Sequence, residues 1–326
     1  MRTRALGRSG LRVPEVSLGS WLTLGERMDI RETLRLIHRA FDQGIYFFDT
    51  ADVYQSGEGE RALGEALSPL PRQQVVIATK CFFAMSDSPN DRGLSRKHLF
   101  ESVEGSLRRL KTDYIDLHQC HRFDPDVPLE ETIRSYDDLI RQGKLLYWGV
   151  SHWSASQIAQ GCAVADDLDA VRPISNQPEY SILRRGIEAS ILPTSLREGI
   201  GQIVFSPLAQ GALTGKYSHG RLPPGSRAND PKRNRWMSDL LQARVLDRID
   251  QLRPIADELS LSLAQLALAW CLQRPEVSSV LIGATRIEQL EENIKAVGID
   301  LPDEALERID ELFPQIDPTT ETSTDG

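Results

Sequence analysis

Ile45-Tyr46-Phe47-Phe48-Asp49-Thr50-Ala51-Asp52-Val53-Tyr54 is the stretch on which the reading of this chain turns. It opens as an apolar and aromatic run, as a buried strand does. It then breaks into Asp49, Thr50 and Asp52, residue types that favour turns. A helical segment follows at 58–67. Asp49 and Tyr54 are thereby placed at the carboxyl end of a strand and in the loop after it. In a β/α barrel that end carries the catalytic groups.

The alternation of strand and helix extends outward from this corner. Strands are expected at 15–19, 45–49, 74–80, 113–120, 145–150, 172–177, 200–205 and 278–282. Helices are expected near 30–43, 58–67, 96–110, 130–141, 154–166, 186–198, 246–272 and 286–296. Eight strands alternating with helices argue for a parallel sheet, and eight suits closure into an α/β (β/α)8 TIM barrel. Two short strands around Gly7-Arg8-Ser9-Gly10 precede it as a β-hairpin. Local signals agree. Ser95 precedes a helix as its N-cap, and Leu99, Val103, Leu107 and Leu110 follow at helical spacing. Ser154 with Gln157 has the spacing of a capping box. Pro254 and the Leu259-Ser260-Leu261-Ser262 break divide 246–272 into two helices, the second capped by Ser262. The stretch 206–245, after the seventh barrel strand, is rich in Gly, Pro, Arg and Asn and too long for an ordinary connection, which points to function. Residues 1–313 are read as one barrel domain and 314–326 as a flexible tail.

A chain of 326 residues can bury a full core without disulfides or structural metal. The net charge of −9, with no Lys/Arg run, argues against nucleic acid as the partner. Cys81, Cys120, Cys162 and Cys271 form no CxxC pair, so neither a zinc ribbon nor a redox dithiol is indicated. They read as buried thiols in a reducing, cytoplasmic setting. Arg2 and Arg4 have no apolar run behind them, so no signal peptide is expected. No window approaches the ~18 apolar residues of a membrane span.

The chemistry gathers at strand ends. A tyrosine hydroxyl, with a pKa near 10 in water, donates a proton near neutrality if a cation lowers that value. Lys80 ends the strand Val75-Val76-Ile77-Ala78-Thr79 on the same barrel face as Tyr54, where Asp49 can hold it by an ion pair. His121 closes the strand that contains His118. Residues three apart on a strand point to opposite faces, so the two histidines do not share a metal. At the strand end His121 can instead donate a hydrogen bond to a carbonyl.

With these residues in place, the sequence resembles the aldo-keto reductase family over nearly its whole length. The matching motifs are Phe48 to Tyr54, Gly57-Glu58-Gly59-Glu60 through Leu63-Gly64, Lys80, Tyr114-Ile115-Asp116-Leu117 with His121, and Gly149-Val150-Ser151. Within the family it is most similar to the potassium-channel β-subunit branch and its bacterial relatives. That similarity lies in Tyr147 to Ser154, Ser206-Pro207-Leu208-Ala209-Gln210-Gly211, Gly215-Lys216-Tyr217 and Leu281-Ile282-Gly283-Ala284-Thr285. The channel subunits carry Asn where His121 stands.

The resemblance implies a catalytic tetrad of Asp49, Tyr54, Lys80 and His121. It also implies NADPH/NADP+ bound without a Rossmann motif, and the sequence has no properly spaced G-x-G-x-x-G. By the same resemblance, Ser151, His152, Asn176 and Gln177 would hold the carboxamide, with Tyr180 or Phe205 near the ring. Ser206, Pro207, Leu208, Ala209 and Gln210 would follow the pyrophosphate, and Lys216 and Arg227 would close over it. Gly283, Thr285, Gln289, Glu292 and Asn293 would surround the adenosine, with Arg286 bearing on NADPH over NADH. Ser20, Trp21 and Arg27 follow the first barrel strand; Trp21 reads equally as part of the site mouth or as plain packing. The implied reaction is reduction of a small-molecule aldehyde or ketone. Two rivals stand beside it: an NADPH-binding regulatory subunit with little turnover, and a barrel isomerase or aldolase acting on sugar phosphates, which needs metal ligands or a Schiff-base lysine, a part Lys80 could take. The resemblance leaves a homo-oligomer open.

Overall fold

The computed structural model describes residues 1–25, 27–230 and 234–315. The expected tail lies, from residue 316 onward, outside them. The strands are β1 (Thr3–Ala5), β2 (Arg12–Pro14), β3 (Val16–Gly19), β4 (Phe47–Asp49), β5 (Val76–Cys81), β6 (Ile115–Cys120), β7 (Leu145–Ser151), β8 (Ser175–Gln177), β9 (Gly201–Phe205) and β10 (Val277–Ile282). β3 to β10 close into a barrel in sequence order, every neighbouring pair parallel. This is the expected (β/α)8 TIM barrel. β1 and β2 form the antiparallel hairpin ahead of it.

The barrel interior is layered. Leu6 and Val13 of the hairpin pack with Phe47, Val76, Ala78, Leu117 and Ile203 in an apolar plug. Two residues on along the same strands stand Asp49, Lys80 and Gln119, all buried. The period of two that points Phe47 inward also points Asp49 inward, one layer nearer the carboxyl end. The hairpin thus closes the amino-terminal end, and the polar layer faces the other.

The helices are α1 (Ile30–Asp42), α2 (Glu58–Leu67), α3 (Arg96–Leu110), α4 (Leu129–Arg141), α5 (Ala155–Asp167), α6 (Ile191–Glu198), α7 (Ala243–Asp250), α8 (Arg253–Glu258), α9 (Leu263–Leu272), α10 (Ile287–Ile294) and α11 (Asp303–Leu312). The Ser95 cap and the Ser154 and Ser262 capping boxes form as expected. Three readings need correction. α6 begins at Ile191 rather than 186, because Pro193 can occupy only the first turn of a helix. The 246–272 region makes three helices, with breaks at both sites the sequence marks. The sequence reading omits α11, although Pro302 followed by Asp303 and Glu304 is a helix-start signal. α11 is tied down by Arg185, which is buried and bonds Glu188, Asp310 Oδ1 at 2.7 Å and the Phe313 carbonyl at 2.6 Å.

The stretch after β9 winds through short 3-10 turns at Ala209–Thr214, Ser218–Gly220, Arg227–Asn229 and Asn234–Trp236 before α7. Cys81, Cys120, Cys162 and Cys271 are free and buried. Among the described residues no single helix is long and apolar enough to cross a membrane.

Candidate active site

β4, β5 and β6, with the turns after β4 and β6, bring Asp49, Tyr54, Lys80 and His121, the four residues of the expected tetrad, together. Lys80 Nζ donates to Asp49 Oδ1 at 2.5 Å and to the Thr50 carbonyl at 2.7 Å, with both side chains almost fully enclosed. The second Asp49 oxygen accepts from Gln177 Nε2 at 2.9 Å and from Gln119 Nε2 at 3.3 Å. A buried carboxylate with this many donors is held in one orientation. Lys80 Nζ lies 5.2 Å from the centroid of the Tyr54 ring. His121 meets that ring edge-on at 5.8 Å, and Phe83 meets His121 at 5.0 Å. His118 turns to the other face of β6, where Nδ1 pairs with the Tyr136 hydroxyl at 3.0 Å. The two histidines do stand apart.

The electrostatics correct one expectation. Burial pushes the Tyr54 pKa above its ordinary value; Lys80 pulls it down by charge and hydrogen bonding but does not win. Burial also presses Lys80 toward its neutral form, yet Asp49 and Tyr54 outweigh it and the lysine pKa rises. The phenol is therefore held protonated and the amine held as ammonium. His121 is kept well below the usual histidine range by burial and by Lys80, Arg122 and His152. Its Nδ1 is buried without a partner among the described residues. A neutral imidazole in that setting still has one N–H to donate.

The residues expected at the cofactor fall into several places. Ser20 joins the tetrad directly: its N–H bonds the Asp49 carbonyl at 2.9 Å and its hydroxyl the Thr50 hydroxyl at 2.8 Å. Ser151 donates to the Gln177 carbonyl at 2.8 Å. His152 and Phe205 pack at 5.1 Å. The Ser206 hydroxyl accepts from Gln210 Nε2 at 2.9 Å, and Gln210 Oε1 is buried without a partner among the described residues. His152, Ser206, Ala209 and Gln210 all take positive φ values of 45° to 59°. Such a cluster of left-handed residues is strain that functional sites retain. Pro207 and Leu208 complete that turn. Lys216 stands exposed beside it, near Gly211.

The long segment is clasped from across the barrel mouth. Trp21 packs on Trp236 at 5.1 Å, Arg227 lies 4.7 Å over Trp21, and Arg27 donates to the Gly225 carbonyl at 2.7 Å. Gly283 follows β10. Thr285 is bonded to Gln289 at 3.0 Å, and Gln265 donates to Glu292 at 2.9 Å beside buried Asn293, so these residues share the start and inner side of α10.

Two expected residues are not at the mouth. Asn176 alternates away from Gln177 and bonds Gln202 at 3.1 Å. Tyr180 stacks on Trp270 of α9 at 5.1 Å, with its hydroxyl on Glu188 at 2.6 Å, outside the barrel lumen. The sequence reading also passed over Gln119 and Arg122. Gln119 lies two residues before His121, and the alternation of β6 contained its signal; Arg122 follows His121 into the loop beyond the strand, where that period no longer applies.

The site fits a dinucleotide. It has a turn of strained backbone, a Gln210 amide oxygen unpartnered among the described residues and cations on a clasped segment, all above a buried polar layer.

Comparison with known proteins follows the same lines. The sequence model of the Aldo/keto reductase family matches residues 15–313. The chain is 45% identical over 302 residues to a probable voltage-gated potassium channel subunit beta of Arabidopsis thaliana, covering 92% of each chain. The same figures hold for a protein of that description from Oryza sativa subsp. japonica. A putative voltage-gated potassium channel subunit beta of Schizosaccharomyces pombe is 43% identical over 321 residues, 95% of this chain and 92% of the relative.

Proposed function

Since the chain belongs to the aldo/keto reductase family, we propose that it reduces aldehydes or ketones to alcohols with hydride from NADPH, Tyr54 giving the proton. The observation that carries this reading is the enclosed Asp49–Lys80 pair set against the Tyr54 ring, with His121 at its edge. When bound, the nicotinamide supplies the hydride. Ser151 and Gln177 would hold its carboxamide, with Phe205 and His152 beside the ring. Ser206 to Gln210, Lys216 and Arg227 would hold its phosphates, and Gly283, Thr285, Gln289, Glu292 and Asn293 its adenosine end. Ser20, Trp21 and Arg27 support these groups from the first barrel strand.

Tyr54 keeps its proton at neutral pH because its site is dry. It gives the proton to the carbonyl oxygen, and the Lys80 ammonium stabilises the phenolate left behind. His121, uncharged, donates to the same oxygen and orients it. Asp49 fixes Lys80. The raised lysine pKa speaks against a Schiff-base role, which needs a neutral amine. The free, buried thiols support a cytoplasmic setting.

Tyr54→Phe should lower NADPH oxidation with 4-nitrobenzaldehyde by about 10²–10⁴-fold. NADPH affinity, read by fluorescence titration, should change only a few-fold. Normal turnover in that variant would remove the assignment. The names carried by the relatives support a second reading, an NADPH-binding regulatory subunit with little turnover. Tight NADPH binding with no oxidation by any reactive aldehyde would favour it.

A further inference from the structure

Arg122 is a half-buried cation at the mouth with no carboxylate partner among the described residues. It follows His121 out of β6, and one Nη donates to the His121 carbonyl at 2.7 Å. Its guanidinium lies 5.4 Å from the centre of the Phe83 ring. Phe83 in turn packs on His121 at 5.0 Å, so the guanidinium stands beside the His121 edge of the site, and its charge acts on Tyr54, His121 and His152. Among the described residues no carboxylate comes within 4.0 Å of it, and its other guanidinium nitrogens have no acceptor.

The contrast with the other enclosed cations is informative. Lys80 has Asp49, Arg185 has Glu188 and Asp310, and Arg109 has Glu60. A half-buried guanidinium without a counter-ion has lost solvation and recovered little. Burial does lower its pKa, as expected of a cation left without compensation. A guanidinium with a free N–H fork is shaped for a bidentate carboxylate. The phosphate-binding turn proposed above follows β9, so the part of the cofactor near Arg122 would be the nicotinamide end, which offers no phosphate to pair with it.

We infer that Arg122 is a specificity-determining residue that recognises a carboxylate on the substrate, so that the site selects carbonyl compounds bearing an acid group. The carbonyl oxygen then sits between Tyr54 and His121, the acid meets Arg122, and the connecting ring or chain lies against Phe83. This rests on the reduction reading, and the experiment separates the two. The full chain with NADPH is assayed against 4-carboxybenzaldehyde and methyl 4-formylbenzoate, which differ in the charge. Binding of each to the NADP+-loaded chain, where no turnover occurs, is measured by calorimetry. The acid should exceed the ester in kcat/KM and in affinity by about tenfold or more, the yield of a charge-assisted hydrogen-bond pair. Arg122→Met should collapse that ratio, and Arg122→Lys should restore part of it. Effects relayed through Tyr54 or His121 reach both aldehydes and cancel in the ratio. An acid-to-ester ratio near one in the parent chain, or one that Arg122→Met leaves intact, overturns the inference. Failure of both aldehydes to oxidise NADPH overturns the reduction reading instead, and the calorimetric ratio still decides Arg122.

Discussion

Asp52 shows how a single side chain can carry a pH dependence away from the chemistry. It lies two residues before Tyr54, fully buried, and accepts from Ser102 at 2.9 Å through one oxygen; the other has no partner among the described residues. Burial first, then the nearby Glu60, raises its pKa from 3.8 to about 7. The unfolded chain releases this proton at 3.8 whereas the folded chain keeps it to about 7. Between those values the folded state binds more protons, so the stability it contributes drains away as pH rises, by up to roughly 1.4 kcal/mol per unit. Asp52→Asn should remove that slope. Urea unfolding at pH 5 and pH 8 should show the variant gaining on the parent at the higher pH. An equal difference at both would refute it. His118, held down to about 3 by burial, titrates in the opposite sense and is common to both proteins.

At the scale of elements, the loop bearing Tyr54 is fixed by how α2 docks. Glu60 of α2 is wholly buried, bonded by Thr79 of β5 at 2.6 Å and Arg109 of α3 at 2.5 Å. Gly64, a turn later, lets α2 approach the end of α3: a Cβ there would stand 2.6 Å from the Leu110 carbonyl oxygen. Gly64→Ala must push the two helices apart against backbone, not a yielding side chain. It should cost about 1–3 kcal/mol, more than the helix propensity gained. Denaturant midpoints would decide it; a stabilised variant would show that α2 moves freely. The glycine is visible in the sequence, but its reason is not, because Leu110 lies far along the chain.

Over the whole molecule, the barrel is closed by its strands and secured outside by Arg185. This guanidinium joins the segment after β8 to α11 through Glu188, Asp310 and the Phe313 carbonyl, and stacks 5.0 Å over Trp270. Arg185→Met should leave Glu188 buried with less compensation and cost about 3–5 kcal/mol. The loss should appear in urea unfolding, with proteolysis near α11 as its local sign. A variant within 1 kcal/mol of the parent, roughly the scale of an exposed pair, would show the network to be dispensable.

The eight-strand alternation, the caps at Ser95, Ser154 and Ser262, and the strand-end positions of Asp49, Lys80 and His121 were legible in the sequence alone. They depend on periods of two and 3.6 and on local capping, which neighbours in the chain determine. What only the tertiary structure decided was which side chains meet. It turned Asn176 to Gln202, set Tyr180 on Trp270 and joined Trp21 to Trp236. It also let burial outweigh Lys80 at the Tyr54 hydroxyl. Desolvation and long-range contact belong to the closed barrel, since no short segment carries its own dielectric surroundings or its distant neighbours.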